Sequence, residues 1–428
     1  MSAEVAAKVA AENSPRPEDP SGPGAAPVPM RWIVSLSLAM LGLWLAALSP
    51  LQALFPRQIE AIARASGHPG DKNSLLAWAT GLASVAAILA CPIAGALSDR
   101  TMSRLGRRRP WALGGAVICA AALAAQSVQT GFAGLVLCLC VVQAAINAMY
   151  AALSATIADQ VPTRQRGLVS AFVGLPLPVG LILGTLLTTT LVRGTVPGYL
   201  LLAVLVVVLQ LPFLIWGRDP VLTAREPFVL RRFLADFKFS PRAHPDFAWV
   251  GAGRFAIQLG NAVGLLYLYY YLQDVLHRPD PAQSVLTLVI IYTLSAMVIS
   301  VVVGRWSDRT GRRKPFVIGS SVMMAGAVLV FALGEDWTAA MLAGAVLGLG
   351  YGSYLAIDNA LITEVLPDEL SRGKDLGLIS VANTGSQALA PAIAGPIVAV
   401  FGYSGLYVTT GAVILIGAAL IQPVRSVR

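Results

Sequence analysis

The chain has 428 residues, of which 56% are hydrophobic and only 12% are charged, with a net charge of +9. Ordinary soluble domains carry about 25% charged residues, so this composition excludes a soluble globular protein and a disordered one. About 20 apolar residues cross a bilayer once as a helix, and the chain holds enough of them for about a dozen crossings. We therefore predict an integral membrane protein with many spans.

In chain order, residues 1–30 are rich in proline and alanine and are predicted to be a disordered cytoplasmic tail. Apolar runs and short polar breaks then alternate to the end. Residues 31–217 are predicted to form one six-helix half and residues 247–422 a second, with a linker at 218–246 and a second tail at 423–428. The twelve transmembrane helices are predicted near 31–55, 74–97, 111–129, 131–157, 167–191, 198–217, 247–272, 283–304, 315–334, 337–361, 376–400 and 403–422.

The positive charges predict the orientation of these spans. Of the 31 Lys and Arg residues, 25 fall on the side that both termini share, and five fall on the opposite side. Cytoplasmic segments of membrane proteins are enriched in Lys and Arg, so both termini are predicted to be cytoplasmic. This topology explains the basic balance, and no nucleic-acid partner is expected. Arg and Phe interleave in the linker, which predicts an amphipathic helix on the membrane surface.

A loop motif occurs twice, 209 residues apart, at matching points of the two halves. Glycine in such a motif allows two helices to approach closely, while its arginines set the topology and contact lipid headgroups. Duplicated halves of this kind are common in secondary transporters. The candidate switch residues are Gly95, Asp99, Arg100, Gly106 and Arg107 in the first copy, and Gly304, Asp308, Arg309, Gly311 and Arg312 in the second.

Residues 304–313 match the G-x-x-x-D-R-x-G-R-R signature of the major facilitator superfamily, which the chain resembles over 31–422. The first copy, with four extra residues, and Ser49-Pro50-Leu51-Gln52 look like the sucrose-transporter-like and glycoside–pentoside–hexuronide cation symporter branch. The resemblance implies an all-α membrane protein of twelve helices in two pseudo-symmetric halves. It also implies alternating access, a cavity lined by spans one, four, seven and ten, and a monomer that moves a small-molecule substrate.

Polar residues inside these spans are costly and tend to face the cavity. In spans four, seven and ten they recur at steps of three or four, so each set lies on one helical face. An alternative interpretation is that they join neighbouring helices without touching substrate. The candidate substrate-binding residues are Gln52 in span one, Gln143, Asn147 and Tyr150 in span four, Gln258 and Asn261 in span seven, and Tyr351 and Tyr354 in span ten.

Arg254 and Asp358 are the charges that lie well inside spans, in seven and ten. An unpaired charge at that depth is expensive, so we expect the two to pair. In one hypothesis Asp358 binds a coupling proton and Arg254 modulates its pKa. The alternative is a permanent ion pair. A tyrosine run at 267 and 269–271 is interpreted either as an interfacial aromatic belt, which we favour, or as an outer gate.

The sequence contains no catalytic constellation, phosphate-binding loop or metal-ligand spacing, so no enzyme and no cofactor is predicted. The four cysteines lie in apolar runs and are interpreted as core packing. We predict a secondary active transporter of the bacterial cytoplasmic membrane, in contact with lipid, that carries out proton-coupled symport of a sugar or glycoside-like solute. One alternative is proton-driven export of a drug or natural product, which an apolar cavity would favour. A remote one is a non-transporting receptor of the same fold.

Overall fold

The computed structural model describes residues 27–162, 165–192, 194–217, 245–310, 313–334, 336–365 and 372–424. Every regular element within these ranges is helical. The amphipathic helix predicted in the linker, and nearly all of both predicted tails, lie outside the described residues.

Six helical segments form the first half. The first contains one widened turn at Pro50–Leu54, and the fifth is interrupted at Leu175. Their bounds are Met30–Ala65 for α1, Lys72–Ser98 for α2, Arg109–Ser127 for α3, Phe132–Gln160 for α4, 166–191 for α5 and Thr195–Trp216 for α6.

The second half repeats this arrangement. α7 is broken at Tyr267. α11 and α12 join at Gly402, whose φ of 66° is a left-handed conformation that glycine adopts without a steric cost. The bounds are Pro245–Leu266 and Leu268–Asp274 for α7, Pro281–Thr310 for α8, Lys314–Leu333 for α9, Trp337–Val365 for α10, 372–401 for α11 and 403–421 for α12.

The predicted all-α fold is confirmed, and each of the twelve predicted spans corresponds to one helix. By length and composition, ten helical stretches of the described residues could cross a membrane, with α11 and α12 counted as one. α7 is not among them, because polar residues such as Arg254, Gln258 and Asn261 lower its hydropathy. The predicted ends of spans were too early in places: α1 continues to Ala65 rather than residue 55.

The helices alternate in direction, so the bundle has two ends. At the termini end, the Val28 N–H before α1 donates to Gln165 before α5, at 2.8 Å, and Lys314 of α9 donates to the main-chain oxygen of Val424 after α12. The loops α1–α2, α7–α8 and α11–α12 meet at the opposite end. Between the halves, α2 packs against α11 and α5 against α8.

Glycines bring α8 and α10 unusually close. A Cβ at Gly348 or Gly352 would collide with the main chain of Tyr292 or Ala296 on α8. Without Cβ atoms the two backbones approach one another directly, as in other packed membrane helices. The close contact places Tyr292 of α8 beside Tyr351 of α10, with ring centroids 5.9 Å apart.

Candidate functional site

A buried ion pair joins α7 to α10. Arg254 donates to one carboxylate oxygen of Asp358, and the Tyr354 hydroxyl donates to the other at 2.9 Å. Asp358 is 2% exposed and Tyr354 is fully buried. Two donors and an opposite charge offset the cost of burying this carboxylate. The cluster is therefore a carboxylate held between two donors, one from α7 and one from α10 itself.

A polar chain continues from this cluster along α7, α8 and α10. The side chain of Gln258 hydrogen-bonds Tyr351. Tyr351 stacks on Tyr292, whose hydroxyl donates to the Asn261 amide oxygen at 3.3 Å. The structure thus brings together the polar stripes of α7 and α10, and it adds Tyr292. Because these residues bond one another, the interpretation as helix-to-helix contacts stays open beside that of a substrate site.

The polar stripe of α4 lies apart from this chain. Asn147 donates to the main-chain oxygen of Gln143 at 2.9 Å, within its own helix. Tyr150 is 41% exposed and meets the ring of Trp44 edge-on, with centroids 5.8 Å apart. Among the residues that the structure describes, no hydrogen bond joins this stripe to those of α7 and α10. The three stripes therefore do not form one continuous site in this conformation.

A cavity nearer the opposite end lies among α7, α8, α9, α10 and α12 and reaches α1 and α5. Its described lining is mostly aliphatic or aromatic, with hydrogen-bonding side chains at Gln52, Tyr292 and Tyr407. Gln52 is the substrate-binding candidate that lines it, and it lies in the widened turn of α1. The other lining residues are Leu181, Gly264, Leu265, Leu268, Leu288, Val289, Val328, Phe331, Gly344 and Leu347.

The tyrosine run of α7 lies inside the protein at the opposite end. Tyr267, Tyr269, Tyr270 and Tyr271 are each at most 6% exposed. Tyr267 donates to the main-chain oxygen of Asn73 at 2.8 Å, and Tyr270 donates to that of Pro56 at 3.0 Å, both in the other half. The interfacial-belt interpretation is wrong for these side chains, because lipid-facing rings would be exposed. Tyr267, Tyr269 and Tyr270 bond to the other half and help to close this end, whereas Tyr271 packs against rings of its own half.

Charged and polar side chains surround these tyrosines and bridge the halves. Asp274 pairs with Lys72 at 2.6 Å and accepts a hydrogen bond from Tyr403 at 2.7 Å. The Gln273 amide donates to Glu60 at 2.6 Å. We call these residues and the four tyrosines the latch. Within the described part of the chain, every hydrogen bond between the halves lies at this end, together with the contacts of Arg57 to Tyr269 and Asp280.

The first copy of the loop motif, at the termini end, is organised by Arg108. Its guanidinium contacts Asp99 at 2.5 Å, Asp159 at 3.1 Å and the Ser98 hydroxyl at 2.6 Å. Arg107 adds a second contact to Asp159 at 2.6 Å. The switch residues predicted from the sequence include Arg100 and Arg107 but not Arg108. Comparison of the two motif copies could have indicated Arg108. Arg313 occupies the corresponding position in the second copy, and it likewise donates to a serine, Ser307, at 2.9 Å.

Two glycines of the motif behave differently. Gly106 has φ of 94°, so its loop requires a residue that tolerates the left-handed conformation. The reason proposed for Gly95 is wrong in this conformation, because a Cβ there would meet nothing within 4 Å. At Gly304 a Cβ would meet only that of Ala356, at 3.8 Å. Gly311, Arg312 and the side chain of Asp308 lie outside the description.

Comparison with known proteins agrees with this architecture. The family model described as Major Facilitator Superfamily matches residues 72–285 and 250–427, most of the chain. The chain belongs to the major facilitator superfamily. Members of this family are membrane transporters, and the apolar helices of this chain agree with an integral membrane protein.

The curated relatives match over short stretches. The chain is 35% identical over 103 residues to the uncharacterized MFS-type transporter YfiU of Bacillus subtilis (strain 168), which is 24% of this chain and 20% of that protein. It is 34% identical over 126 residues to YdeG of the same organism, also an uncharacterized MFS-type transporter, or 29% of each chain. The chain thus aligns with less than a third of these relatives.

Solved structures share the fold over nearly the whole chain. The human organic anion transporter MFSD10 (TETRAN) has a TM-score of 0.69 and 16% identity, over 93% of this chain and all of that one. The nucleoside transporter NupG has a TM-score of 0.72 and 14% identity, over 92% and 98%. A D-xylose–proton symporter has 0.68 and 16%, over 92% and 96%. At these identities the likeness establishes the fold alone.

Proposed function

We propose that this major facilitator is a proton-coupled symporter of a sugar or glycoside-like solute, with Asp358 as the proton site. The observation that carries the proposal is the buried cluster of Arg254, Asp358 and Tyr354. A carboxylate between an arginine and a tyrosine hydroxyl can be protonated when the arginine moves away, because a lone buried charge is costly. Alternating access provides that movement when it separates α7 from α10.

The proposed orientation determines which state of the transport cycle the structure represents. With both termini in the cytoplasm, as the excess of Lys and Arg at that side supports, the latch closes the outer end. The state is then closed to the outside. Asp358 lies toward the cytoplasmic end of α10, where its proton would be released inward, and Arg254 then holds the carboxylate ionised until the carrier turns outward.

The proposed substrate rests on two observations. The paired stripes of α7 and α10 offer Gln258, Asn261, Tyr351 and Tyr354 as hydrogen-bonding groups for hydroxyls. The motif spacing and the Ser49-Pro50-Leu51-Gln52 run resemble the sucrose-transporter-like and glycoside–pentoside–hexuronide branch. A glycoside would suit both the polar stripes and the apolar cavity, because it joins a hydroxylated ring to a less polar aglycone.

A second candidate is proton-driven export of a lipophilic compound. It is favoured by the apolar lining of the cavity among α7, α8, α9, α10 and α12. Asp358 would serve the same coupling role, with the proton entering as the substrate leaves. The two candidates differ in substrate and direction and not in the residue that carries the proton.

The test is solute-evoked current in proteoliposomes that contain the full chain. The panel includes methyl and phenyl β-D-glucosides, free sugars and lipophilic antibiotics. Asp358→Asn resembles the protonated acid, so we expect it to abolish the current while it retains solute exchange without a proton gradient. The matched control is Asp71→Asn, which neutralises an exposed loop carboxylate.

The outcomes separate the candidates. A glucoside-evoked current that Asp358→Asn removes and Asp71→Asn preserves supports symport. A current evoked by antibiotics and by no sugar or glucoside supports proton-driven export and contradicts symport. Full current in Asp358→Asn, with unchanged pH dependence, shows that this residue does not carry the proton.

A further inference from the structure

The carboxylate of Asp358 uses its two oxygens for two different partners. Its Oδ2 accepts from a guanidinium nitrogen of Arg254 on α7, and its Oδ1 accepts from the Tyr354 hydroxyl on α10 at 2.9 Å. Each oxygen of an ionised carboxylate has lone pairs of its own, so the two bonds form independently. Either partner can therefore leave without breaking the bond that the other makes.

The two partners differ in how they are tied to Asp358. Tyr354 lies one turn before Asp358 in α10, which is helical from Trp337 to Val365. Residues four apart on a helix are neighbours on one face. Arg254 reaches across from α7, so its bond depends on how the two helices pack. A movement of α7 relative to α10 breaks the arginine bond and leaves the tyrosine bond intact.

Packing fixes the ring of Tyr354 in this position. The side chain is fully buried in a large cluster of apolar side chains, and the ring of Tyr351 lies 6.3 Å away between centroids. A close-packed side chain cannot easily turn to another rotamer. The Tyr354 hydroxyl is thus committed to Asp358 and is not offered to a solute.

The charged groups around Asp358 leave Arg254 as its ionic partner. In the part of the chain that the structure describes, α7, α8 and α9 pack against α10, and Arg254 is the charged side chain that pairs with Asp358. The other described charged side chains of these elements at the termini end are Asp246 on α7, Arg305 and Arg309 on α8, and Arg313 and Lys314 at the start of α9. Of these, Arg313 donates to Ser307 and Lys314 to Val424.

We propose that Tyr354 stays bonded to Oδ1 of Asp358 throughout the transport cycle, while Arg254 and the coupling proton compete for Oδ2. When α7 moves away, a proton from water binds Oδ2 and forms the neutral acid. Oδ1 is then the carbonyl oxygen, and it still accepts from Tyr354. When Arg254 returns, it takes Oδ2 and the proton leaves to water.

This assignment makes Tyr354 a positioning residue of the coupling site, whereas the sequence predicted a substrate-binding residue. It rests on the proposed function only in treating Asp358 as the proton site. It does not depend on which solute is carried or in which direction.

The retained bond has two measurable consequences. A hydrogen bond to an ionised group is stronger than one to a neutral group, so the Tyr354 hydroxyl favours the carboxylate over the acid. Tyr354→Phe should therefore raise the proton affinity of Asp358 about tenfold, which moves half-protonation upward by about one pH unit. The bond also weakens the C=O bond of the acid, so the stretching band should move to higher wavenumber in the variant.

The test is infrared difference spectroscopy of the full chain in lipid nanodiscs over a pH series, with no solute added. The Asp358 band is the protonated-carboxyl band that the native protein shows and Asp358→Asn lacks. We expect Tyr354→Phe to shift both the wavenumber and the midpoint of this band. Tyr199→Phe is the matched control, because it removes a buried tyrosine hydroxyl bonded to Gln126 in the first half, and it should shift neither.

A second substitution separates the hydroxyl from the packing of the ring. Replacement of Tyr354 by 3-fluorotyrosine keeps the ring and makes its hydroxyl a stronger donor. We expect it to shift the wavenumber and the midpoint in the direction opposite to Tyr354→Phe. Size exclusion and thermal unfolding verify that each variant is folded.

The inference is overturned if folded Tyr354→Phe keeps the native wavenumber and midpoint, or if the two substitutions at position 354 shift the band in the same direction. An Asp358 band that titrates but ignores position 354 leaves the proton role of Asp358 standing and removes that of Tyr354. The absence of any titrating Asp358 band removes both.

Discussion

At the residue scale, Arg108 illustrates how one buried guanidinium can organise a loop. It is 4% exposed and joins Ser98 and Asp99 at the end of α2 to Asp159 at the end of α4. Its planar group carries five donors in a fixed fork, so it can bond partners that lie in three different directions at once. Three helix ends at the termini end therefore depend on one side chain.

Arg108→Ala removes these contacts and leaves Asp159 with Arg107 alone. We expect about 2–3 kcal/mol of lost stability, in line with hydrogen bonds to charged groups. The measurement is thermal unfolding in detergent, by intrinsic fluorescence. Arg104→Ala, an exposed arginine in the same loop, is the control and should leave the midpoint unchanged. Equal midpoints for the two variants would refute the central role of Arg108.

Gly106 lies in the same loop and has a left-handed backbone conformation. Its φ of 94° costs about 1–2 kcal/mol for a residue with a Cβ. We expect Gly106→Ala to lower the unfolding midpoint. Gly114→Ala, in α3 where a Cβ meets nothing within 4 Å, should be neutral or slightly stabilising. The prediction fails if the two variants unfold at the same temperature.

At the element scale, the packing of α8 on α10 depends on small residues at a regular spacing. Gly344, Gly348 and Gly352 recur every four residues and face α8. A Cβ at Gly352 would lie 2.6 Å from the Cα of Ala296, in contact with main chain that no rotamer change can move. The spacing is the small-xxx-small pattern of packed membrane helices, which was present in the sequence.

Gly352→Ala should therefore force α8 and α10 apart and disturb the stacking of Tyr292 on Tyr351. We expect a marked loss of folded protein, measured as the monodisperse fraction on size exclusion. Gly326→Ala in α9 is the matched control, because a Cβ there meets nothing within 4 Å. Normal yield and solute transport by Gly352→Ala would contradict the close approach.

At the scale of the whole molecule, the latch holds the two halves together at one end. Its contacts join the halves only at the end opposite the termini, within the described residues. Exposed ion pairs contribute little individually, whereas hydrogen bonds to charged groups contribute more. Asp274 accepts from Lys72 of the first half and from Tyr403 of its own half, so its loss removes two latch contacts at once.

Asp274→Ala should therefore favour opening of this end, with a roughly tenfold shift in the conformational equilibrium for about 1.4 kcal/mol. Spin labels at Ser66 and Gln283, both exposed near this end, report the change as a longer distance in electron resonance, after replacement of the native cysteines. Arg64→Ala breaks an ion pair within α1 and should not change the distances. Identical distributions for the two variants would exclude a latch role for Asp274.

The sequence by itself determined the membrane class, the twelve helices and the superfamily. Hydropathy is a local and additive property, because lipid demands about 20 apolar residues at every crossing whatever the neighbouring helices are. Arg254 and Asp358 could be singled out for the same reason, since each is a costly charge in an apolar run. Their pairing was also expected, because an unpaired charge inside a membrane span carries a high free-energy cost.

Only the tertiary structure decided which side chains meet across helices. Tyr267 and Tyr270 have the composition of an interfacial belt, yet they lie between the halves, because packing and not hydropathy determines which way a ring faces. Arg108 and Arg107 are adjacent in sequence, and only their helix ends show which of them bridges Asp99 and Asp159. The cavity beside Tyr407 exists because α8, α9, α10 and α12 meet there, a relation among distant segments that no periodicity within one helix contains.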